Sequence, residues 1–107
     1  MPSDAETRVR LDLNHAPFQV QLLALQKQER HAALETFAKL LQMTWAQVYR
    51  DAGLKWERIA SVRPPEGVDA VYSLRITRSR RATAHRVGGF MCFLSVAPDH
   101  DSTYGKK

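Results

Sequence analysis

Residues 71–104, VYSLRITRSRRATAHRVGGFMCFLSVAPDHDSTY, decide the fold of this chain. Polar and apolar side chains alternate over residues 70–78 and 81–87, which is the period of half-buried β-strands. Residues 90–97 are apolar on both alternating faces, as in a strand covered on each side. Between the last two segments lies Gly88-Gly89, a pair that accepts the positive φ angles of a two-residue hairpin. The stretch therefore predicts three consecutive antiparallel strands.

A two-residue loop at Gly88-Gly89 determines which residues face each other across the hairpin. The predicted pairs are Val87 with Phe90, His85 with Cys92, Thr83 with Leu94, and Arg81 with Val96. The same register places on one apolar side Ala82, Ala84, Met91 and Phe93, with Arg86 near the hairpin end. The other side receives Arg81, Thr83 and His85, and Arg75 joins them if Leu74 and Ile76 point into the core. Two arginines are thus expected to converge on an open sheet surface.

The upstream half supplies helices that cover one side of this sheet. Residues 8–13 alternate as a short strand, and helical spacing then links Phe18, Leu22 and Leu25, and later Leu34, Phe37 and Leu41. Asn14 is a candidate cap for the first of these helices, and Pro17 falls in its first turn. Thr44 and Gln47 form a capping-box pattern, so a short third helix follows or the second one is extended.

The element order predicts an α+β fold in one domain spanning residues 1–107. Residues 54–62 suggest one more strand before the loop at Pro64, Pro65 and Gly67, and Gly53 is the expected helix stop before it. We expect an N-terminal strand, an antiparallel helix pair with or without a short third helix, and a mainly antiparallel twisted sheet of about four strands.

Composition restricts the class of protein. With 107 residues, 44% hydrophobic and 25% charged, the chain has the averages of a single globular domain, which argues against disorder. It contains no apolar run of the roughly 18 to 20 residues that span a membrane. The start lacks the apolar region of a secretory signal, and the single cysteine, Cys92, offers no disulfide framework. We therefore expect a cytoplasmic protein without membrane partners.

The net charge of +5 is concentrated in the predicted sheet. Residues 1–69 hold nine basic and nine acidic side chains, and near the end Asp99 and Asp101 balance Lys106 and Lys107. The whole excess comes from five arginines with no carboxylate among them: Arg75, Arg78, Arg80, Arg81 and Arg86. A patch of one sign on one structural unit predicts a polyanionic partner.

Three segments resemble the RelE/ParE superfamily of bacterial type II toxins: YSLRI at residues 72–76, RRATAHR at 80–86, and FLSVAPDHDSTY at 93–104. The resemblance implies a RelE-like fold and a toxin that a cognate antitoxin neutralises. The implied assembly is a toxin–antitoxin hetero-oligomer or a toxin homodimer. In most branches such toxins cleave mRNA on the ribosome, whereas a smaller branch poisons DNA gyrase. Carried over by position, Arg75, Arg81, His100 and Tyr104 resemble the catalytic residues of the family.

These residue types suit RNA cleavage without metal, in which a base deprotonates the 2′-OH and fixed donors stabilise the charge on phosphorus. Arg81 and then Arg75 are the first candidates for holding the phosphate, because arginine grips phosphate oxygens bidentately. His100 is a candidate base or acid, Tyr104 a proton-transfer or stacking partner, and Glu57 a base if its strand lies beside Arg75. Further RNA contacts are expected from Arg78, Arg80, Arg86, Lys55 and Arg63.

Two other functions share this pattern. A gyrase poison or a non-catalytic module that binds RNA or an antitoxin needs the fold and the charge, but not an acid–base pair. The triplet Asp99-His100-Asp101 is a weak ligand pattern, so we expect neither a metal nor another cofactor. We favour an mRNA endoribonuclease that inhibits translation.

Overall fold

The computed structural model describes residues 6–96, which form three helices and one mixed sheet of five strands. The elements are β1 (Arg10–Asp12), α1 (Ala16–Ala24), α2 (Lys27–Leu41), α3 (Trp45–Arg50), β2 (Glu57–Arg58), β3 (Tyr72–Arg75), β4 (Arg81–Val87) and β5 (Phe90–Val96). The strand order is β1-β5-β4-β3-β2. β1 pairs with β5 in parallel, and the other neighbouring strands are antiparallel. The predicted α+β class is confirmed.

A short connection joins the first two helices. Pro17 occupies the first turn of α1 as predicted, but Asn14 does not cap it: the N-cap is His15, and the Asn14 backbone N–H instead donates to Asp12 Oδ1. α1 ends at Ala24, where Arg30 donates to the carbonyl of Leu25 at 2.6 Å. Only two residues separate α1 from α2, so the end of one helix is tied directly to the start of the next.

α3 is a separate helix and does not extend α2. The predicted capping box is present, because Thr44 Oγ1 accepts from the Gln47 backbone and Gln47 Oε1 accepts from the Thr44 backbone. α3 ends at Arg50, before the predicted stop at Gly53. Among residues 6–96, the one non-glycine residue with a positive φ is Lys55, at 51°. The residue with a left-handed backbone in the turn after α3 is therefore a lysine.

The strand predicted over residues 54–62 is wrong in length, because only Glu57 and Arg58 pair with β3. The left-handed conformation of Lys55 cannot belong to an extended strand, so it interrupts the pairing with β3, which the Leu54 carbonyl otherwise reaches through the Arg75 N–H. After one more backbone bond, from Ile59 N–H to Val71 O, the chain leaves the sheet toward Pro64 and Pro65.

The β4–β5 hairpin follows the predicted register near its loop and departs from it beyond a β-bulge. Val87 faces Phe90 and His85 faces Cys92, as predicted. The pairs Thr83–Leu94 and Arg81–Val96 are wrong, because Leu94 is an extra residue in β5. Thr83 faces Ser95 instead, and Val96 faces Ala82. Since one inserted residue reverses every later side chain, the bulge turns Val96 into the core, where it is 1% exposed.

The core lies between the helices and one sheet face. Phe18 of α1, Phe37 of α2 and Phe93 of β5 form an aromatic cluster with ring centroids 5.1–6.3 Å apart. The β4 and β5 residues predicted for this face are confirmed as buried: Ala82, Ala84, Met91 and Phe93. The opposite sheet face carries Ser73, Arg75 and Arg81.

Candidate functional site

The sheet face turned away from the helices carries ordered rows of polar side chains. Strand pairing places Ser73 opposite both Glu57 and Thr83, and Thr83 opposite Ser95, so four neighbouring strands contribute to one row. In the next row Arg75 faces Arg81 across β3 and β4. The predicted convergence of these two arginines on one face is therefore present.

A cavity of about 470 Å³ opens on this face, and we call it the basic groove. Its lining residues are Lys55, Glu57, Ser73, Arg75, Arg78, Ser79, Arg80 and Arg81. Five of these side chains are cationic and one is a carboxylate, so the groove attracts anions.

Arg81 is held in place within the groove. Its Nη2 donates to the Lys55 carbonyl oxygen at 3.0 Å and to Ser73 Oγ at 2.7 Å. The same nitrogen lies 3.9 Å from Glu57 Oε1, and the Arg81 side chain is 22% exposed. A guanidinium carries five N–H bonds, so holding one nitrogen leaves Nε and Nη1 for a ligand.

Arg75 stands opposite Arg81 with an exposed side chain. Its backbone N–H donates to the Leu54 carbonyl at 2.7 Å, which fixes the start of the side chain. Like charges directly opposite each other on neighbouring strands destabilise a sheet. A phosphate between Arg75 and Arg81 would relieve that repulsion and accept hydrogen bonds from both guanidinium groups.

The turn between β3 and β4 is clamped by Glu29 of α2. Thr77 Oγ1 donates to Glu29 Oε1 at 2.7 Å, Arg80 Nε donates to the same oxygen at 3.2 Å, and Ser79 Oγ donates to Oε2 at 3.3 Å. The hydrogen bond from Thr77, assisted by Arg80, holds the pKa of Glu29 below its usual value. Arg80 thus serves the clamp, with a side chain only 16% exposed, whereas Arg78 at the same turn is exposed to the groove.

We expect Glu29→Gln to lower the free energy of unfolding by about 1–2 kcal/mol at pH 7, the size of a hydrogen bond to a charged group. A carboxylate with a lowered folded-state pKa stabilises the protein above its unfolded pKa, near 4.5, and this contribution disappears as the pH falls through the folded-state value. The difference in free energy of unfolding between wild type and Glu29→Gln should therefore become smaller below about pH 4.5. Denaturation at several pH values measures it.

Glu35→Gln is the matched control, because Glu35 is on the same helix but its side chain is 74% exposed and pairs with the similarly exposed His31. Its effect should be small, since exposed pairs contribute little. If the free energies of unfolding of wild type and Glu29→Gln differed by the same amount from pH 7 to pH 3, the clamp would be contradicted.

The structure separates Arg86 from the other predicted RNA contacts. Its guanidinium carbon lies 4.3 Å from the Trp45 ring centroid, on the helix-facing side, and it donates to Tyr49 Oη and to the Gly88 carbonyl. Arg63 is exposed in the connection between β2 and β3 and does not line the basic groove. His100 and Tyr104 lie outside the described residues.

The hairpin end of the open face has a different character. Cys92 lies opposite His85, and its Sγ is 3.8 Å from Asp12 Oδ2 on β1. Burial, with the nearby Asp12 charge, raises the pKa of the Cys92 thiol, which disfavours a nucleophilic thiolate. No group of three histidine, cysteine or acidic side chains within residues 6–96 is arranged to hold a metal ion.

Sequence reasoning missed Ser73 and Glu29, although both position groups in the groove. Ser73 was accessible to it, because a strand period of two places Ser73 on the same face as Arg75. Glu29 had no local signal, since 48 residues separate it from Thr77. The left-handed backbone of Lys55 had no local sequence signal either, because the nearby Gly53 was the expected site for such a conformation.

None of the helices within residues 6–96 is long and apolar enough to cross a membrane. Comparisons of the chain with protein-family models, with curated proteins and with solved structures find no match.

Proposed function

We propose that this protein is the toxin of a type II toxin–antitoxin system and cleaves mRNA, with the basic groove as its phosphate-binding centre. The facing pair Arg75 and Arg81 carries the proposal, because two arginines directly opposite each other on neighbouring strands repel, and an anion between them would relieve that repulsion. The RelE/ParE-like segments at residues 72–76, 80–86 and 93–104 support the toxin assignment and a RelE-like fold. The expected setting is the cytoplasm, with ribosome-bound mRNA as substrate and an antitoxin as inhibitor.

In the proposed reaction the attacking group is a 2′-OH of the RNA itself, and the protein supplies the base, the acid and the phosphate contacts. A base removes the 2′-OH proton, the 2′ oxygen attacks the adjacent phosphorus, and the 5′ oxygen leaves with a proton from an acid. The products are a 2′,3′-cyclic phosphate and a 5′-OH end. Arg81 donates to the phosphate from an N–H that its two anchors leave open, and Arg75 binds it from the opposite strand.

Glu57 is the proposed base of this reaction. Its carboxylate lies 3.9 Å from Arg81 Nη2. A phosphate held by Arg81 would therefore bring the 2′-OH of the adjacent ribose close to Glu57. The Glu57 side chain is 67% exposed, which leaves its oxygens open to a substrate. His100 and Tyr104 are the proposed proton donors to the leaving oxygen, as the family resemblance implies.

Expressing the protein in bacteria should arrest growth and fragment mRNA, and the purified protein should cut a single-stranded RNA oligonucleotide. The control is the same oligonucleotide with a 2′-deoxy residue at the cleavage position, which cannot be cut because the attacking oxygen is missing. Arrest with intact transcripts and double-strand DNA breaks would indicate gyrase poisoning instead. RNA binding without cleavage would indicate a binding module.

A further inference from the structure

We infer that Lys55 positions Arg81 through its backbone, and that this role is separate from the charge of its side chain. The inference rests on the proposed function. A left-handed Lys55 directs its carbonyl oxygen at Arg81 Nη2, and this orients the guanidinium toward the scissile phosphate. Lys55 is thus a positioning residue of the basic groove.

The conformation of Lys55 is unfavourable by itself. A positive φ of 51° brings Cβ close to the following carbonyl, so residues other than glycine, asparagine and aspartate rarely adopt it. Gly53 lies two residues earlier and does not have a positive φ. Strain of this kind persists where the surroundings require it, and it clusters at functional sites.

Both neighbours of Lys55 are held from the core side. Leu54 and Trp56 are 2% and 9% exposed. The Leu54 N–H donates to Asp51 Oδ1 at 2.8 Å, and Asp51 is paired with Lys39 at 3.1 Å. The Leu54 carbonyl accepts from Arg75 N–H. With both flanking residues pinned, the turn between them falls on Lys55.

The result is a rigid acceptor beside the key arginine. Arg81 Nη2 has two N–H bonds, and its contacts to the Lys55 carbonyl and to Ser73 Oγ match that number. Nε and Nη1 have no hydrogen-bond partner among residues 6–96, so their N–H bonds remain able to donate to phosphate oxygens. If the carbonyl rotated away, Arg81 would keep its charge and lose its orientation.

Two substitutions separate the backbone role from the charge. Lys55→Asn and Lys55→Val both remove the ammonium group, but asparagine tolerates a positive φ whereas β-branched valine does not. We expect Lys55→Val to lower the single-turnover cleavage rate about 10- to 100-fold below that of Lys55→Asn. Both variants should reduce the salt dependence of RNA binding by the same amount, about one phosphate contact.

Ser73→Ala provides a second measurement if Lys55→Val does not fold. It removes the other anchor of Arg81 Nη2 without strain or change of charge, so the cleavage rate should fall about 10-fold while the salt dependence stays as in wild type. Equal rates for Lys55→Asn and Lys55→Val, or an unchanged rate for Ser73→Ala, would overturn the positioning role alone. Wild-type protein that leaves RNA intact would overturn the proposed function and this inference together.

Discussion

Replacing Arg81 by alanine is expected to lower the rate of RNA cleavage about 100- to 1000-fold, the loss typical of removing one fixed donor to a charged transition state. The reason is geometric as well as electrostatic. Arg81 is anchored by the Lys55 carbonyl and by Ser73 Oγ, so its guanidinium is already oriented within the groove. Single-turnover kinetics on an RNA oligonucleotide measure the change.

Arg81→Lys tests orientation against charge. Lysine keeps the positive charge, but its flexible ammonium lacks the planar, fixed donors of a guanidinium and cannot be anchored by one nitrogen while it donates from another. We expect RNA binding close to that of wild type and a cleavage rate reduced at least about 10-fold. Cleavage by Arg81→Lys at the wild-type rate would show that Arg81 supplies charge alone.

Arg58→Ala is the matched control for Arg81→Ala. Both substitutions remove one arginine from the sheet, so they change the net charge equally. Arg58 follows Glu57 on β2, and neighbouring residues of a strand point to opposite faces, so Arg58 lies off the groove face. We expect the Arg58→Ala rate within about twofold of wild type. Equal losses in the two variants would contradict a site centred on Arg81.

Trp45→Ala is expected to lower the free energy of unfolding by about 3–5 kcal/mol, the range for removing a large buried aromatic ring. Trp45 is 0% exposed, and its indole N–H donates to the Gly89 carbonyl at 2.9 Å. Its ring also contacts Trp56 and the Arg86 guanidinium. Since domains of this size are stable by about 5–15 kcal/mol, this loss is a large part of the total. Chemical denaturation measures it.

Trp45→Phe is the comparison variant. It retains most of the ring packing and loses the hydrogen bond to Gly89, so we expect a smaller loss, about 1–2 kcal/mol. A Trp45→Ala variant within 1 kcal/mol of wild type would contradict the packing of this side chain against the hairpin loop and Trp56.

Local patterns were sufficient wherever neighbouring residues alone decide the structure. The Gly88-Gly89 loop, the capping box at Thr44 and Gln47, and strand β4 all depend on contacts within a few residues. The facing pair Arg75 and Arg81 also followed from alternation along two adjacent strands. Thus the sequence predicted the face that carries the basic groove and two of its arginines.

Long-range packing decided the rest. The bulge at Leu94 arises because Val96 is buried against the helix layer, and no pattern within β5 distinguishes Leu94 from its neighbours. Arg80 and Arg86 look like Arg78 in sequence. Their environments differ because residues far away in the chain hold them: Glu29 pairs with Arg80 at the groove wall, and Trp45 holds Arg86 outside the groove.

By itself, the sequence determined the α+β class, the basic sheet and the facing arginines, because alternation and charge are properties of adjacent residues. The tertiary structure alone decided how those arginines are held. The left-handed backbone of Lys55, the Ser73 contact to Arg81 and the Glu29 clamp each join segments that meet only after folding. The orientation of a guanidinium depends on its acceptors, and here they lie on other segments: Ser73 is 8 residues and Lys55 is 26 residues from Arg81.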